Sequence, residues 1–272
     1  MRTEPISSGR PASEWSAVGD RLTFVGHATT WMRLDGTGIL TDPILRDRIG
    51  PLRRQAPSPS AELVESTDLV LISHLHRDHL DLPSLGRLTG DAVLVVPRGA
   101  GRLVSRASAG EVVELSVDEE VSLGGIEVTA VRAVHDPRRG PWGPRAEPLG
   151  FLLASRRRGV YFAGDTDLFP GMREFGRLDL ALLPVWGWGP TVGTGHMTPW
   201  RAALALKRLA PRLAVPIHWG SLYPVGLRRF RPRPLSDPPL EFSRLAAELA
   251  PESRVRVLAP GSGLDLDDVG EE

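Results

Sequence analysis

The sequence contains no cysteine, and this absence excludes several kinds of chemistry at once. Disulfide bonds, zinc sites built on thiolates and cysteine nucleophiles all require that residue. Any metal ion must therefore be bound by imidazole and carboxylate groups, which suit zinc, manganese or iron.

Long apolar runs and a net charge are also missing. No stretch approaches the roughly 18 consecutive apolar residues that a membrane-spanning helix needs. The formal net charge is +0, with 33 basic and 33 acidic residues, so nothing favours binding to nucleic acid. No long basic amphipathic helix is visible, so membrane-surface contact is not supported. We expect a cytoplasmic protein with a small-molecule substrate; its oligomeric state stays open, a homo-oligomer included.

What the chain does contain is enough apolar sequence for a substantial core, 41% of 272 residues. Residues 1–20 are polar and lack the apolar stretch of a secretory signal, so we expect a flexible leader there. Strands open the chain and then alternate with helical patterns. No linker divides the rest, and residues 21–272 are therefore predicted to form a single α/β domain.

Short apolar runs bounded by turn residues predict the strands. They cover residues 22–26, 31–34, 38–41, 68–73, 92–96, 126–131, 149–154, 160–163, 180–183 and 213–217. Pro216 places the last of these at a sheet edge or a strand end. Helices are predicted at 199–209, with Thr198 as N-cap, and at 240–249. The stretches 46–59 and 228–239, rich in Arg and Pro, are interpreted as loops.

The strongest functional signal is a dense cluster directly after the buried strand 68–73. His74, His76, Asp78 and His79 lie within six residues. On an extended backbone His74 and His76 share one face, whereas a turn would redirect Asp78 and His79. So many polar groups at the end of a buried strand would be costly as structure alone. We interpret the cluster as a metal site.

Three further candidate ligands also follow predicted strands. His135, Asp165 and His218 come after strands 126–131, 160–163 and 213–217. In α/β folds, sites lie at the carboxyl edge of the strands. Each residue taken alone has an ordinary alternative. A single histidine after a strand is usually hydrogen-bonded structure, and Gly-Asp-Thr around Asp165 suits a turn.

These residues together resemble the signature of the metallo-β-lactamase-fold hydrolases, over roughly residues 21–225. The resemblance implies a four-layer αββα sandwich with two metal ions at one edge, most readily zinc, with manganese or iron as alternatives. It implies two ligand sets and one shared residue. One metal would be bound by His74, His76 and His135, the other by Asp78, His79 and His218, with Asp165 bridging them.

Other motifs resemble one branch of this superfamily, which contains the N-acyl-phosphatidylethanolamine-hydrolysing phospholipase D and the ascorbate-6-phosphate lactonase. The motifs are Val25-Gly-His-Ala-Thr29, Leu40-Thr-Asp-Pro43, Phe162-Ala-Gly-Asp-Thr166, Gly195-His-Met-Thr-Pro199 and Ile217-His-Trp-Gly220. In that branch the histidine equivalent to His196 lies near the substrate.

The mechanism we expect is attack by a metal-bridging hydroxide on a phosphodiester or related ester. Asp78 is a candidate both for ligation and for proton transfer, and His196 for protonating the leaving group. A capping role before the helix at 199–209 is the equal alternative for His196. Asp42 is expected to hydrogen-bond a ligand imidazole, with a turn carboxylate before Pro43 as its alternative. His27 is a candidate for substrate contact, although a structural role is the commoner outcome.

Substrate recognition is predicted from loop residues. Trp186 and Trp188 are candidates for lining the pocket, as exposed loop aromatics often do. The basic loop of Arg46, Arg48, Arg53 and Arg54 offers a phosphate clamp, Arg54 above all, with a solvated charged loop as the alternative.

Two other functions remain open on the sequence. A lactonase acting on a phosphorylated sugar-acid lactone is the enzymatic alternative. A non-catalytic metal-binding module or a di-iron redox module represents a different class, since the same ligands bind iron.

Overall fold

The computed structural model describes residues 19–88 and 92–268 and arranges them around two seven-stranded sheets. In spatial order, the first sheet contains β17 (Ser262–Asp265), β1 (Arg21–Gly26), β2 (Thr29–Leu34), β3 (Thr37–Thr41), β6 (Leu69–Leu71), β7 (Val93–Pro97) and β8 (Val112–Leu115). The second contains β16 (Arg254–Val255), β14 (Leu213–Ile217), β13 (Leu180–Pro184), β12 (Gly159–Phe162), β11 (Leu149–Ala154), β10 (Ile126–Arg132) and β9 (Glu120–Leu123). A small third sheet joins β4 (Arg48–Ile49), β5 (Leu52–Arg54) and β15 (Leu222–Pro224).

The continuous apolar runs of the sequence are explained by strands that are covered on both faces. In β6, Leu69 and Leu71 pack in the core between the sheets, whereas Val70 packs with the outer layer. In β7, Val95 likewise packs in the core between the sheets, and Leu94 packs with the outer layer. Because successive side chains of a strand point to opposite faces, a strand buried on both sides must be apolar throughout.

Helices cover the outer face of each sheet. The five helices are α1 (Ala61–Glu65), α2 (Leu82–Leu85), α3 (Gly101–Val104), α4 (Pro199–Leu209) and α5 (Asp237–Leu249). The first three pack on the first sheet, since Leu63, Leu85 and Val104 belong to its outer apolar cluster. Helices α4 and α5 pack together against β13 and β14. This is the predicted αββα sandwich.

Strand directions bring the functional loops to one edge. In the first sheet β3 and β6 run parallel, and β1 runs the same way because it is antiparallel to β2. In the second sheet β12, β13 and β14 are parallel, and β10 shares their direction through β11. The residues that follow these strands therefore meet at one edge of each sheet, which is where the candidate ligands lie.

Several sequence expectations need correction. The stretch 46–59 is not irregular throughout, because β4 and β5 form a hairpin that pairs with β15. Helix α5 begins at Asp237, three residues before the predicted start, and its two prolines occupy the first turn, where no intrahelical N–H is needed. Pro216 lies beyond the part of β14 that pairs with β16, so its missing N–H breaks no bond on that side.

Residues 1–18 of the predicted leader lie outside the described residues. Asp20, which the prediction also placed in the leader, is buried and bonded to Arg158 through its Oδ2 at 2.8 Å. The ordered fold therefore includes this residue. Every helix in the described part of the chain is too short or too polar to cross a bilayer.

Candidate metal centre

All seven predicted ligands converge at the shared strand edge. His74, His135 and Asp165 each lie three residues past the last residue of β6, β10 and β12, and His218 follows β14 directly. His76, Asp78 and His79 come from the turn that continues from His74. Strand ends fix the backbone on both sheets, and the turn supplies the remaining side chains between them.

His74, His76 and His135 form one compact set, the three-histidine group. Their ligand nitrogens lie within 4.8 Å of one another. Nε2 of His135 is 2.9 Å from Nδ1 of His76, and the rings meet edge to face. Two imidazole nitrogens at that distance need a proton or a cation between them, because two lone pairs repel. The group therefore has the arrangement of a cation site.

Asp78, His79 and His218 form the second set, the Asp78 group, and His27 lies with them. Nε2 of His79 is 3.0 Å from Nε2 of His218. Oδ2 of Asp78 lies 3.1 Å from Nε2 of His27 and 3.9 Å from Nε2 of His79. This set adds a carboxylate to imidazole ligands.

Asp165 lies between the two groups. Its Oδ2 is 3.9 Å from Nε2 of His135 and 3.1 Å from Nε2 of His79. Its Oδ1 is 3.1 Å from Nε2 of His218, although it accepts no well-aligned hydrogen bond from the described residues. One carboxylate therefore reaches ligands of both groups, as a bridging position requires.

Asp42 supports the site from behind. Its Oδ2 is 2.7 Å from Nδ1 of His79, so that Nε2 of the same ring is left for the centre. The carboxylate also accepts hydrogen bonds from the backbone N–H and the hydroxyl of Ser73, at 2.7 and 2.6 Å. Ser73 Oγ in turn lies 2.9 Å from Nδ1 of His74. Asp42 and Ser73 therefore link the two groups through buried hydrogen bonds.

Backbone strain is concentrated at the site. His27, Asp42 and His218 have φ values of 59°, 34° and 63°, in the left-handed region that costs energy for non-glycine residues. The His218 N–H donates to the carbonyl of His27 at 2.7 Å, and the two rings, tilted by 36°, have centroids 3.9 Å apart. Gly164 has φ of 57°, and a Cβ there would lie 2.4 Å from Cβ of Ser73. This close approach requires glycine directly before Asp165.

Burial and charge give the two groups different protonation in the metal-free protein. Burial lowers the pKa of His74 and His76 and lowers that of His135 to about 4. These rings are neutral at pH 7, which is the form that binds metal. Burial would also lower the pKa of His79, but the charges of Asp165 and Asp42 raise it well above its usual value.

The residues fit a metal ion on two further observations. Among the described residues, Nε2 of His74 and Oδ1 of Asp165 are buried without a hydrogen-bond partner. Buried unpaired polar atoms are costly, and a cation would satisfy both. A set of imidazole nitrogens and carboxylate oxygens is also what zinc, manganese and iron accept.

Two of the predicted substrate-side residues lie at the edge of the centre. Nε2 of His196 is 3.3 Å from Oδ2 of Asp165, and its side chain is partly exposed. Nε1 of Trp188 donates to Oδ2 of Asp78 at 3.0 Å, and 41% of this residue is exposed. Trp186 is half-buried and packs against the core, and its ring nitrogen donates to the carbonyl of Gly189 in its own loop.

The structure does not place Arg54 at the site. Its guanidinium is buried and donates to the backbone carbonyls of Ile44, Val25 and Arg46. The expected phosphate clamp is therefore wrong for this residue, which instead ties β5 to the loop after β3. Arg46 is held by a bidentate pair with Asp81 at 2.6 and 2.8 Å.

His27 is also placed differently from the expected substrate contact. It is buried, between Asp78 and the ring of His218, and burial lowers its pKa to about 3. Its side chain therefore faces the Asp78 group, where it orients Asp78 or provides a further ligand.

Sequence reasoning missed three groups that orient ligands. Nδ1 of His135 donates to the carbonyl of Gly195 at 2.7 Å, and Nδ1 of His218 donates to the carbonyl of Trp186 at 2.8 Å. Such carbonyls belong to any residue and leave no signal in the sequence. Ser73 was visible beside His74, but only the bonds to Asp42 reveal its role.

Comparison with known proteins identifies the family. Residues 37–219 match the model of the β-lactamase superfamily domain. The chain belongs to this superfamily. It is 34% identical over 258 residues to a UPF0173 metal-dependent hydrolase of Rubrobacter xylanophilus, covering 90% of this chain and 96% of the relative. A UPF0173 metal-dependent hydrolase of Methanopyrus kandleri is 30% identical over 260 residues, covering 90% of this chain and 99% of the relative.

A solved structure supports the same assignment. Igni18, a metallo hydrolase of Ignicoccus hospitalis, matches with a TM-score of 0.69 and 27% identity, over 91% of this chain and 98% of its own. The predicted metallo-β-lactamase fold is confirmed, and the protein is a metal-dependent hydrolase with a His/Asp cluster able to bind metal ions.

Proposed function

We propose that the protein is a dinuclear-metal-dependent hydrolase that cleaves a phosphodiester or a related ester. The observation that carries this proposal is the position of Asp165 between two separate ligand groups, within 3.9 Å of His135 on one side and 3.1 Å of His79 on the other. A carboxylate that reaches both groups suits two cations rather than one. The seven residues His74, His76, Asp78, His79, His135, Asp165 and His218 would hold them.

Divalent cations, if bound there, would lower the pKa of water toward neutrality and would polarise the oxygen of a phosphoryl or carbonyl group. The chain's own residues do the positioning. Asp42 and the carbonyls of Gly195 and Trp186 fix the rings of His79, His135 and His218, so that the free nitrogen of each faces the centre.

His196 and Asp78 are the residues proposed to act on the substrate. His196 is the partly exposed imidazole beside Asp165, so its ring is accessible to a bound ester and can donate a proton to the leaving oxygen. Asp78 is half-buried, and its Oδ2 faces His27 and Trp188. It can accept a proton released at the centre and return it.

The test combines metal content with a substrate panel. Purified full-length protein should contain about two divalent cations per chain, by elemental analysis. It should hydrolyse bis-p-nitrophenyl phosphate, and a set of lactones measures the alternative activity. Turnover of lactones alone would assign lactonase chemistry instead. A protein loaded with metal that turns over neither class contradicts the proposal.

Asp165→Asn provides the decisive variant, with Asp167→Asn as its matched control. Asp165→Asn removes the charge shared by both groups, and activity should fall at least about 100-fold together with metal content. Asp167 is two residues further on and pairs with Arg201 outside the centre. Its amide variant should keep both metal and activity. Equal loss in the two variants would show a folding defect rather than a bridging role.

A further inference from the structure

A small pocket lies on the outer face of the first sheet, where β1 and β2 face α1. Its volume is about 230 Å³. The polar and charged groups that line it include Arg21, Thr23, Arg33, Ser60 and Glu62, together with Trp31. The residues from Arg21 to His27 span about 20 Å at the rise of a β-strand, so the pocket is well separated from the metal centre.

Four of the lining side chains form a block across two antiparallel strands. Arg21 is directly opposite Arg33, and Thr23 is directly opposite Trp31. The guanidinium of Arg33 lies over the ring of Trp31, 5.3 Å from its centroid, which restrains it beside the pocket. Strand alternation places all four on one face.

Neither of the two arginines forms an ion pair within the described structure. Neither guanidinium has a carboxylate within ion-pair distance among the described residues, and like charges directly opposite on a sheet are destabilising. Glu62 lines the pocket without pairing with either of them. Asp265 is opposite Arg21 on β17, but its Oδ1 accepts from the backbone N–H of Asp267 at 3.0 Å. An anion between the guanidinium groups would relieve their repulsion.

The indole of Trp31 and the hydroxyl of Ser60 also lie at this pocket. Trp31 is 7% exposed, and its Nε1–H has no partner among the described residues. A buried donor without an acceptor costs free energy. Ser60 accepts from the N–H of Leu63, and within the described structure its own hydroxyl proton has no acceptor. Because Nε1 of Trp31 is closed to solvent, only the exposed Ser60 hydroxyl is open to an incoming oxygen, and the indole lies beside the site as a reporter.

We propose that this pocket binds a small oxyanion, a carboxylate or phosphate group, between Arg21 and Arg33. The exposed hydroxyl of Ser60 can donate to the anion, and the volume limits the ligand to a small molecule or a single terminal group. The pocket is a second ligand site, independent of the hydrolytic centre. Neither its existence nor its test depends on the proposed reaction.

The indole N–H resonance of Trp31 gives a direct readout in the full-length, metal-loaded protein. Trp31→Phe removes that single signal from the ¹H–¹⁵N spectrum and so identifies it. Titration with inorganic phosphate, and separately with acetate, should shift the Trp31 signal with a saturating curve. A saturating curve with only one of the two anions shows whether the pocket binds a phosphate or a carboxylate group. A signal that does not move with either contradicts the proposal.

Charge variants test the same site in opposite directions. Arg33→Gln should lower the affinity for the anion that saturates the signal by about tenfold, since it removes a charged hydrogen-bond donor. Glu62→Gln should strengthen binding, because it removes the one carboxylate that lines the pocket. A shift of the Trp31 signal that is linear, or unchanged by both variants, would show non-specific ion binding only and overturn the proposal.

Two controls separate this pocket from other effects. Phosphate bound at the metal centre would move the signal of Trp188, which bonds to Asp78, rather than that of Trp31. Trp200→Phe changes an exposed tryptophan on α4 and should leave the Trp31 titration unaltered. If Trp200→Phe changes it as much as Arg33→Gln does, the effect is not local and the assignment fails.

Discussion

The three-histidine group and the Asp78 group are built differently, although one carboxylate serves both. His76 is half-buried, the side chain of His135 is buried, and Nδ1 of His135 donates to a backbone carbonyl. His79 and His218 are fully buried, and His79 bonds to the buried carboxylate of Asp42. The first group is thus composed of neutral rings, whereas the second places an imidazole between two acids.

This difference predicts how each group behaves without metal. Rings whose pKa is lowered are ready to bind a cation at pH 7 without losing a proton. His79, whose pKa is raised, must release its proton before it can bind. We expect the three-histidine group to fill first and the Asp78 group to fill with proton release.

The largest predicted effect is loss of stability of the metal-free protein in acid. The unfolded chain protonates its histidines below about pH 6.5. Folded His135 resists protonation until about pH 4, because it is buried. Its contribution is therefore present above pH 6.5 and is lost as the pH falls toward 4, by on the order of 3 kcal/mol. Thermal unfolding across this window measures it.

His135→Asn is the variant that isolates this contribution. It removes the titrating ring, so the unfolding temperature of the metal-free variant should change less between pH 6.5 and pH 4 than that of the wild-type protein. His79 and His196 act in the opposite direction, since the pKa of each is raised. If the unfolding temperature of His135→Asn depends on pH as steeply as that of the wild-type protein, the three-histidine group does not dominate the acid sensitivity. The contrast between the two groups would then fail.

The next effect in size concerns Asp42, which bonds directly to His79 and reaches the three-histidine group only indirectly, through Ser73. Asp42→Asn should weaken metal binding at that group by about 10–100-fold, because groups that orient ligand imidazoles contribute that much. The three-histidine group should retain its metal. The number of cations per chain, measured while a chelator is titrated in, shows whether the variant retains one cation or none.

Asp81→Asn is the matched control for this change. Asp81 is also a buried carboxylate near the cluster in sequence, but it pairs with Arg46 rather than with a ligand. The Asp81→Asn variant should be less stable, but it should not lose one of the two metals in preference to the other. If Asp42→Asn releases both cations together, the two groups do not bind independently.

The contrast between the groups also shows what the sequence can predict. The spacing of His74, His76, Asp78 and His79 is local, so the cluster was visible, and the burial of β6 followed from its apolar run. Asp165 and His218 follow predicted strands, but each alone has an ordinary alternative, and only the family resemblance assigns them as ligands. Arg54 was misplaced because the sequence does not show which carbonyls a loop arginine will reach. The pairing of β1 with β17 joins distant parts of the chain and has no local signal either.

The smallest predicted effect tests whether the loop that contains Trp188 influences the Asp78 group through its hydrogen bond to Asp78. Trp188→Phe keeps an aromatic ring but removes the N–H that donates to Oδ2 of Asp78 at 3.0 Å. The loss of one hydrogen bond to a carboxylate should lower metal affinity at this group, or kcat/KM, about tenfold or less. Trp186→Phe removes an N–H that bonds only to Gly189 and serves as the control. Both tryptophans lie in the same loop, so equal effects would mean that loop packing matters. An effect of Trp188→Phe alone would show that the loop acts on Asp78 through this hydrogen bond.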